Sequence, residues 1–477
     1  MDAEAFSDHL QFPRGRGHVP PASSSGSAGG AACGDLIRID LRVDDDRVVD
    51  AGFDASGCGS TIAAGSATVA LARNAPVLAA ARLGPSAIAA ELGGLSPGKL
   101  HAAELAADAL HVALGAAVAG LGPAAEAVAG RTLVAMSGGV DSAVAALLVA
   151  REGCEAVAVT LELWRDPAND SEASCCSAHA VRLARSVAHR MGLAHFTLDL
   201  RAAFAAGVVA PFLADHAAGL TPNPCVRCNG DVRLDAMLAF ADRLGAAELA
   251  TGHYARVTGD GLLRAAADPG KDQSYMLAAL APGSLARLRF PLGELHKPQV
   301  RALARDAGLP VADKRESQDL CFLAGTGKSA FLARHGGLRE RPGSVVDRAG
   351  RPVGRHRGQH LFTIGQRKGL GIQAPEPLYV LAKDRVENTV TVGSRAELAT
   401  EQVAVRELVL HRPAAEVDGV KLRYRTRPLA CRVTTSAGER GLLALGEPAD
   451  GAAPGQLACL MRGDVIVGHG VIDSPAQ

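Results

Sequence analysis

The stretch TLVAMSGGVDSAVAALLVAREG, residues 132–153, decides the fold. TLVAM (132–136) is an apolar run of strand length, SGGVDS (137–142) a glycine turn, and AVAALLVAREG (143–153) a helical run closed by Gly153. The pattern repeats downstream. AVAVTLELW (156–164), AHFTLDL (194–200) and AELATGHYARV (247–257) predict strands, and VRLARSVAHRMG (181–192) and DVRLDAMLAFADRLG (231–245) predict helices. Alternation of this length predicts an α/β domain, a parallel sheet covered by helices on both faces.

Outward from that block the texture changes twice. Upstream, HVPPASSSGSAGGAA (18–32) lacks large apolar side chains and reads as a loop. DLIRIDLRVDDDRVVDAGFDAS (35–56) predicts two strands turning at Asp44–Asp46. Residues 60–120 are Ala-rich with helical spacing, broken at Pro76, Pro85 and Pro97, and 122–130 makes a domain boundary. Downstream of about residue 340 the helical period fades into short strands spaced by Gly and Pro, which predicts small β domains or barrels. No run of eighteen uncharged apolar residues appears, and the start lacks the layout of a secretory signal, so a cytoplasmic location is expected. In that compartment thiols stay reduced, and the ten cysteines point to metal binding or catalysis rather than a disulfide framework.

Formal net charge is zero, but it is unevenly spread. Residues 1–125 carry thirteen Asp/Glu against eight Arg/Lys, 339–368 eight Arg/Lys against two acids, and 421–432 five basic residues and no acid. Basic patches on a neutral chain are the footprint expected for a phosphate backbone. Such a run is more often a solvated loop, yet the Gly residues and Phe362 within it favour phosphate contact.

SGGVDS between a buried strand and a helix stands where open α/β sheets bind ligands. Gly138 and Gly139 let a phosphate approach the backbone, the helix amides face the anion, Ser137 and Ser142 can donate hydroxyl hydrogen bonds, and Asp141 can hold Mg²⁺ or orient a nucleotide. The loop lacks the Gly-Lys-Ser/Thr ending of a Walker A motif and is similar to that of the N-type ATP pyrophosphatases, which adenylate an oxygen and release pyrophosphate. TPNPCVRCN (221–229) sets thiols on a Pro-braced loop ahead of a helix, and ESQDLCFL (316–323) offers another. Sulfur transfer suits such a pair. Zinc or a cluster held by Cys225 and Cys228 with Cys175–Cys176 or Cys321 is the alternative.

From about Arg131 to the C-terminus the chain resembles the tRNA-specific 2-thiouridylases (MnmA). The matching segments, in family order, are AMSGGVDS, TPNPCVRCN, ATGHYARV, KDQSYML, PLGELHKPQVR, ESQDLCFL, GRHRGQHLFTIGQRKGLG, PLYVLAKD and PGQ. The resemblance implies that Cys228 is the nucleophile and Cys321 the persulfide carrier, the two closing a disulfide in each cycle. It implies that Ala135, Met136, Ser137, Gly138, Gly139, Val140, Asp141 and Ser142 bind ATP, with Leu161 and Gly252 near the nucleotide. Asn223, Pro224 and Cys225 would meet the target base, and His253, Lys271, Asp272, Gln273, Arg423, Tyr424 and Gln456 the tRNA. Some relatives have Asp at the position of Cys225. The expected cofactors are ATP and Mg²⁺, with zinc or an iron–sulfur cluster a further candidate. The expected partners are tRNA and a cysteine desulfurase or other sulfur-relay protein.

Residues 1–125 resemble the IscU/NifU-type iron–sulfur scaffold, through FSDHLQFPRGRG, AACGDLIRIDLRV, FDASGCGSTIAAGSATVA and SPGKLHAAELAADALHVAL. That likeness implies Cys33, Asp35, Cys58 and His101 as metal ligands. The family's third cysteine, which follows the histidine and receives sulfur, is Ala102 here. A weaker metal site, a docking module for a desulfurase and a fold kept for packing are the resulting readings, with docking preferred. The expected layout is an N-terminal α+β scaffold-like domain (1–125), a Rossmann-like ATP pyrophosphatase domain (131–335), a small central β domain (336–397) and a C-terminal β-barrel contacting tRNA (398–477). The rivals are another adenylating ligase using the same loop, and an iron–sulfur carrier whose tRNA-modifying half is inactive.

Overall fold

A computed structural model describes residues 3–29, 34–124, 126–166, 177–315, 320–436 and 438–474. Cys33, Cys175, Cys176 and residues 316–319 of ESQDLCFL lie outside these residues.

The central sheet is built as the alternation predicts. Five parallel strands run in the order β10-β7-β4-β5-β6, with β4 Arg131–Ala135, β5 Glu155–Glu162, β6 Ala194–Asp199, β7 Glu248–Ala250 and β10 Leu288–Arg289. Their side chains are buried on both faces, as a sheet sandwiched between helices requires. The helices Val140–Arg151 and Ala178–Arg190 are followed by Gly153 and Gly192, with φ +80° and +73°.

Two predicted elements come out differently. AELATGHYARV is not one strand: β7 stops at Ala250, and Arg256–Val257 (β8) joins another sheet. The chain must leave β7 there because Gly252 is pressed against the Ser142 and Asp141 backbone. The helix expected from Asp231 starts sooner, with a turn Pro224–Arg227 and a π-helical segment Cys228–Arg233 running into Leu234–Arg243. Pro224 at the first helical position has no N–H to leave unpaired there.

At the N-terminus, β1 Ser24–Gly29, β2 Leu36–Asp44 and β3 Arg47–Ser56 form an antiparallel sheet in that order. The reading of 18–32 as loop is therefore corrected over β1. Its small residues serve close packing: a Cβ on Gly26 would lie 2.2 Å from the Ala109 carbonyl oxygen and 2.4 Å from the Ala113 nitrogen of helix Leu100–Ala119. That helix, with the turn before it, is long and apolar enough to cross a membrane, but 72% of its apolar window is buried as the core helix of this unit.

From Gly343 onward the described residues are mostly strand. β11 Gly343–Val346, β12 Pro352–His356, β13 Tyr379–Asp384 and β14 Thr389–Gly393 form one sheet. β15 Ala399–Leu410, β16 Gly419–Lys421, β17 Leu429–Ser436, β18 Arg440–Asp450, β19 Leu457–Arg462 and β20 Val465–Ile472 form a second, closed into a barrel by β15 pairing with both β18 and β20. The hairpin of β8 and β9 (Leu263–Arg264) extends the barrel sheet from β20, so residues of the α/β unit belong to it too.

Candidate active site

The glycine loop occupies the carboxyl end of β4. Met136 donates its amide to the Val159 carbonyl 2.8 Å away, which keeps Ala135 and Met136 in line with β5 and leaves Leu161 two residues further along it. Gly138 has φ +69°, and a Cβ there would meet the Ala180 carbonyl oxygen at 2.7 Å, so only glycine fits. Ser142 closes the loop: its hydroxyl donates to the Gly139 carbonyl and accepts from the Ser137 amide, both at 3.1 Å. Gly139 caps helix Val140–Arg151, whose first-turn amides have no intrahelical acceptor.

Three residues that the motif reading passed over complete this corner. Lys297 Nζ, nearly buried, donates to both Asp141 carboxylate oxygens at 2.6 and 2.8 Å, and Tyr254 OH donates to Oδ1 at 2.9 Å. Lys314 Nζ donates to the Gly138 carbonyl at 2.9 Å. Two ammonium groups beside a helix N-terminus and a glycine loop make an electropositive cradle suited to a polyphosphate. Lys297 stood within PLGELHKPQVR and Tyr254 within ATGHYARV, so the signal was present but carried no role by itself. Asp141 supplies hard carboxylate oxygens and fits as one ligand of a Mg²⁺ ion.

The cysteine segment is docked on KDQSYML. Asn229 Nδ2 donates to the Met276 carbonyl at 3.2 Å, and Asn223 Nδ2 lies 3.6 Å from the Met276 sulfur. Pro224 and Cys228 are buried and Cys225 is half-buried. Cys321 opens a short 3₁₀ turn, anchored by Phe322 against Phe204, Phe212 and Phe331 at ring separations of 5.8, 5.1 and 5.1 Å. The helix carrying Phe204 continues into Ala205–Val209, where a Cβ on Gly207 would lie 2.8 Å from Val232, four residues after Cys228. Cys228 and Cys321 thus border one apolar cluster. Among the described residues, Cys225, Cys228 and Cys321 do not close into a set of three ligands within 4.8 Å, whereas Asp35, Cys58 and His101 do.

The residues expected to touch tRNA cluster where the α/β unit meets the barrel. His253, at the carboxyl end of β7, has Nδ1 2.9 Å from Thr251 Oγ1; burial, then the Arg233 charge, hold its pKa at about 3, so the ring is neutral. Gln273 accepts the Tyr254 amide at 2.9 Å. Asp272 accepts from Lys421 Nζ at 3.1 Å and Ser274 Oγ at 3.0 Å, tying the two units together, and the Lys271 amide donates to Asp268 at 3.1 Å. Tyr275 donates to the Leu457 carbonyl at 2.8 Å, with the Tyr424 ring 6.3 Å away. Gln456 Nε2 donates to the Thr221 carbonyl at 2.8 Å, and Arg423 donates to the Ile364 carbonyl at 2.7 Å. The sequence marked these residues singly and gave no sign that they share a domain junction.

In the N-terminal unit, buried Asp35 accepts from the Cys58 amide at 3.1 Å, the Cys58 thiol at 3.2 Å and the Thr61 hydroxyl. His101 Nε2 is 3.5 Å from the same carboxylate. One thiolate, one imidazole and one carboxylate so close together fit zinc or iron. Ala102 is fully buried, turned away from solvent where a sulfur acceptor would have to stand.

A parallel sheet with a glycine loop at its switch point and a helix N-terminus beneath defines an α/β nucleotide-binding enzyme. A family model described as the tRNA methyl transferase HUP domain matches residues 130–325, with the tRNA methyl transferase PRC-barrel domain at 329–394, the aminomethyltransferase beta-barrel domain at 402–472 and the NifU-like N-terminal domain at 2–118. A bifunctional NifU/MnmA protein of Rubrobacter xylanophilus is 44% identical over 478 residues, covering 98% of this chain and 97% of that one. The tRNA-specific 2-thiouridylases MnmA of Geobacter metallireducens and Thermus thermophilus are 41% and 44% identical, each covering 72% of this chain and 97% and 94% of their own. The chain belongs to the MnmA family, in the form joined to a NifU-like domain.

Proposed function

We propose that this chain is an ATP-dependent tRNA-uridine 2-sulfurtransferase that acts on the wobble uridine. The observation that carries this reading is the pairing, in one α/β unit, of the SGGVDS cradle with Cys228 and Cys321 on a shared apolar cluster. The target uridine, flipped from its loop, lies against Asn223, Pro224 and Cys225. Its C2 oxygen attacks the α-phosphorus of ATP and the bond to pyrophosphate breaks, while the loop amides of residues 135–142, Lys297 and Lys314 take up the developing charge. Asp141 would hold Mg²⁺, which supplies further charge neutralisation. Leu161 and Gly252 flank the nucleotide.

The terminal sulfur of a Cys321 persulfide then attacks C2, and AMP leaves with the former C2 oxygen. The Cys228 thiolate attacks Cys321 Sγ, freeing 2-thiouridine and leaving a Cys228–Cys321 disulfide. A dithiol reductant supplies two electrons to reopen it. His253, Lys271, Asp272, Gln273, Arg423, Tyr424 and Gln456 hold the tRNA, with residues 1–125, 131–335, 336–397 and 398–477 as the four domains. The location is cytoplasmic, where both tRNA and reductant are at hand. A desulfurase docks on residues 1–125, whose Asp35, Cys58 and His101, with Cys33, would hold zinc or iron. The test is nucleoside mass spectrometry after incubation with tRNA, ATP, Mg²⁺, cysteine and a desulfurase. Cys228→Ser and Cys321→Ser should each abolish 2-thiouridine while tRNA-dependent pyrophosphate release survives. Thiolation at the full rate in either variant sinks the persulfide scheme.

A further inference from the structure

The basic loop Gln359–Lys368 is pinned in an unusual way. Three of its carbonyls accept from side chains that come from three places in the fold. Lys328, at the start of helix Lys328–Gly336, donates from Nζ to Leu361 at 3.0 Å, and Lys383 of β13 donates to Phe362 at 3.0 Å. Arg423, from the barrel, reaches Ile364 at 2.7 Å. Among the described residues neither lysine is paired with a carboxylate, so each is half-buried for the sake of a neutral carbonyl. Burial depresses both ammonium groups, Lys383 to about 8, so the arrangement costs stability that nearby apolar side chains would not.

What the pins hold is a rigid turn. The Gly365 amide donates to the Val380 carbonyl at 2.8 Å and the Val380 amide to the Gln366 carbonyl at 3.0 Å, the Gln366 side chain spans from the Thr363 amide to the Lys368 carbonyl, and Arg367 and Lys368 stand exposed at the tip. A free loop of this composition would lose entropy on meeting a phosphate backbone; a fixed one has already lost it.

We propose that Lys328 and Lys383 are positioning residues for tRNA: they lock residues 361–368 so that Arg367 and Lys368 meet the RNA backbone as a preset pair. This rests on the reading of the chain as a tRNA-modifying enzyme whose basic loop contacts the substrate. The test uses the full chain and unmodified tRNA, with steady-state thiolation measured across a salt series. Arg367→Ala/Lys368→Ala should raise KM for tRNA and flatten the salt dependence by roughly 0.7 per lost phosphate contact. Lys383→Met and Lys328→Met should each raise KM for tRNA about tenfold, the effect of losing one charge-assisted hydrogen bond, with kcat held. Lys383→Arg, which can still donate to Phe362, should recover most of the loss. Trypsin should cut the Met variants faster at Arg367–Lys368. If the tip double variant leaves KM unchanged, the loop does not contact tRNA and both readings of it fall. If the tip variant raises KM and the Met variants do not, tRNA contact stands and the positioning role fails. A fall in kcat and thermal midpoint without a KM effect would mark the lysines as structural only and overturn the proposal.

Discussion

At the residue scale, the most consequential contact is one that no motif announced. Lys297, its ammonium nearly buried, neutralises Asp141 at the mouth of the ATP loop, where the carboxylate stays 31% exposed. Lys297→Met leaves Asp141 without its cation, and tRNA-dependent pyrophosphate release should fall about 10- to 100-fold, in line with a lost charge-assisted bond of about 1.5–3 kcal/mol. Full adenylation in that variant would make the contact incidental. Gly252→Ala is a backbone collision: its Cβ would lie 2.7 Å from the Ser142 nitrogen and 2.8 Å from the Asp141 carbonyl carbon. Neither atom can move without shifting the loop, so ATP affinity should drop with only a modest change in thermal midpoint. A titration showing unchanged ATP binding would mean that the helix start tolerates displacement. The sequence made the loop glycines and the cysteines legible because their chemistry depends on residue type and local spacing. Lys297 and Lys314 arrive from 156 and 176 residues away, and their partners are fixed by the topology of the sheet rather than by neighbours in the chain.

At the scale of elements, the decisive packing is that of helix Leu100–Ala119 on the edge strand β6. A Cβ on Gly115 would sit 2.0 Å from the Thr197 carbonyl oxygen, and the His195 amide donates to Ala81 at 2.9 Å, so the N-terminal unit occupies the edge that the parallel sheet would otherwise expose. Asp108 on that helix accepts from Arg182 and from Arg185, both at 2.7 Å, and Arg185 is almost fully buried. Asp108→Ala strands a buried guanidinium and should cost about 3–5 kcal/mol, whereas Arg182→Ala, at a more open position, should cost under about 1 kcal/mol. Chemical denaturation of the two variants decides this, and equal losses would show that Arg185 finds another partner or water. The helices and buried strands were legible from periodicity. β1 was not, because SSGSAG has no apolar alternation; its small side chains are explained only by the helix lying against Gly26. The split of AELATGHYARV between two sheets was equally hidden, since both halves have strand composition and only the press of Gly252 on the loop forces the break.

At the scale of the whole molecule, the N-terminal unit behaves as a built-in flank of the α/β unit rather than a tethered one, and the seam carries its own pH dependence. His111, His189 and His195 meet there with ring separations of 5.2–6.3 Å. His111 faces the His195 and Leu83 carbonyls at 2.6 and 2.9 Å, and His195 Nε2 lies 2.9 Å from Thr160 Oγ1. Burial is the first cause that lowers all three from 6.5, His189 to about 4 and the other two well below the ordinary value. The folded state therefore holds the rings neutral, while the unfolded chain takes up protons below about 6.5. More protons on the unfolded side means that stability rises with pH in this window: the contribution is complete above 6.5 and is lost as pH falls from 6.5 toward 4. His189 alone accounts for about 2 kcal/mol between pH 6.5 and 5, at 1.36 kcal/mol per pH unit. Calorimetry from pH 8 to pH 5 should show the thermal midpoint flat above 7 and falling below 6.5, with a shallower fall in His189→Gln. Deleting residues 1–125 should remove that acid sensitivity along with the seam, and should bare β6, lowering the midpoint and promoting association at every pH. The same deletion should cut thiolation driven by a desulfurase more than thiolation driven by free sulfide, which attacks the adenylated C2 directly, displaces AMP and needs neither a persulfide nor a docking surface. Equal losses with the two sulfur sources would assign the N-terminal unit to holding the sheet edge and nothing more.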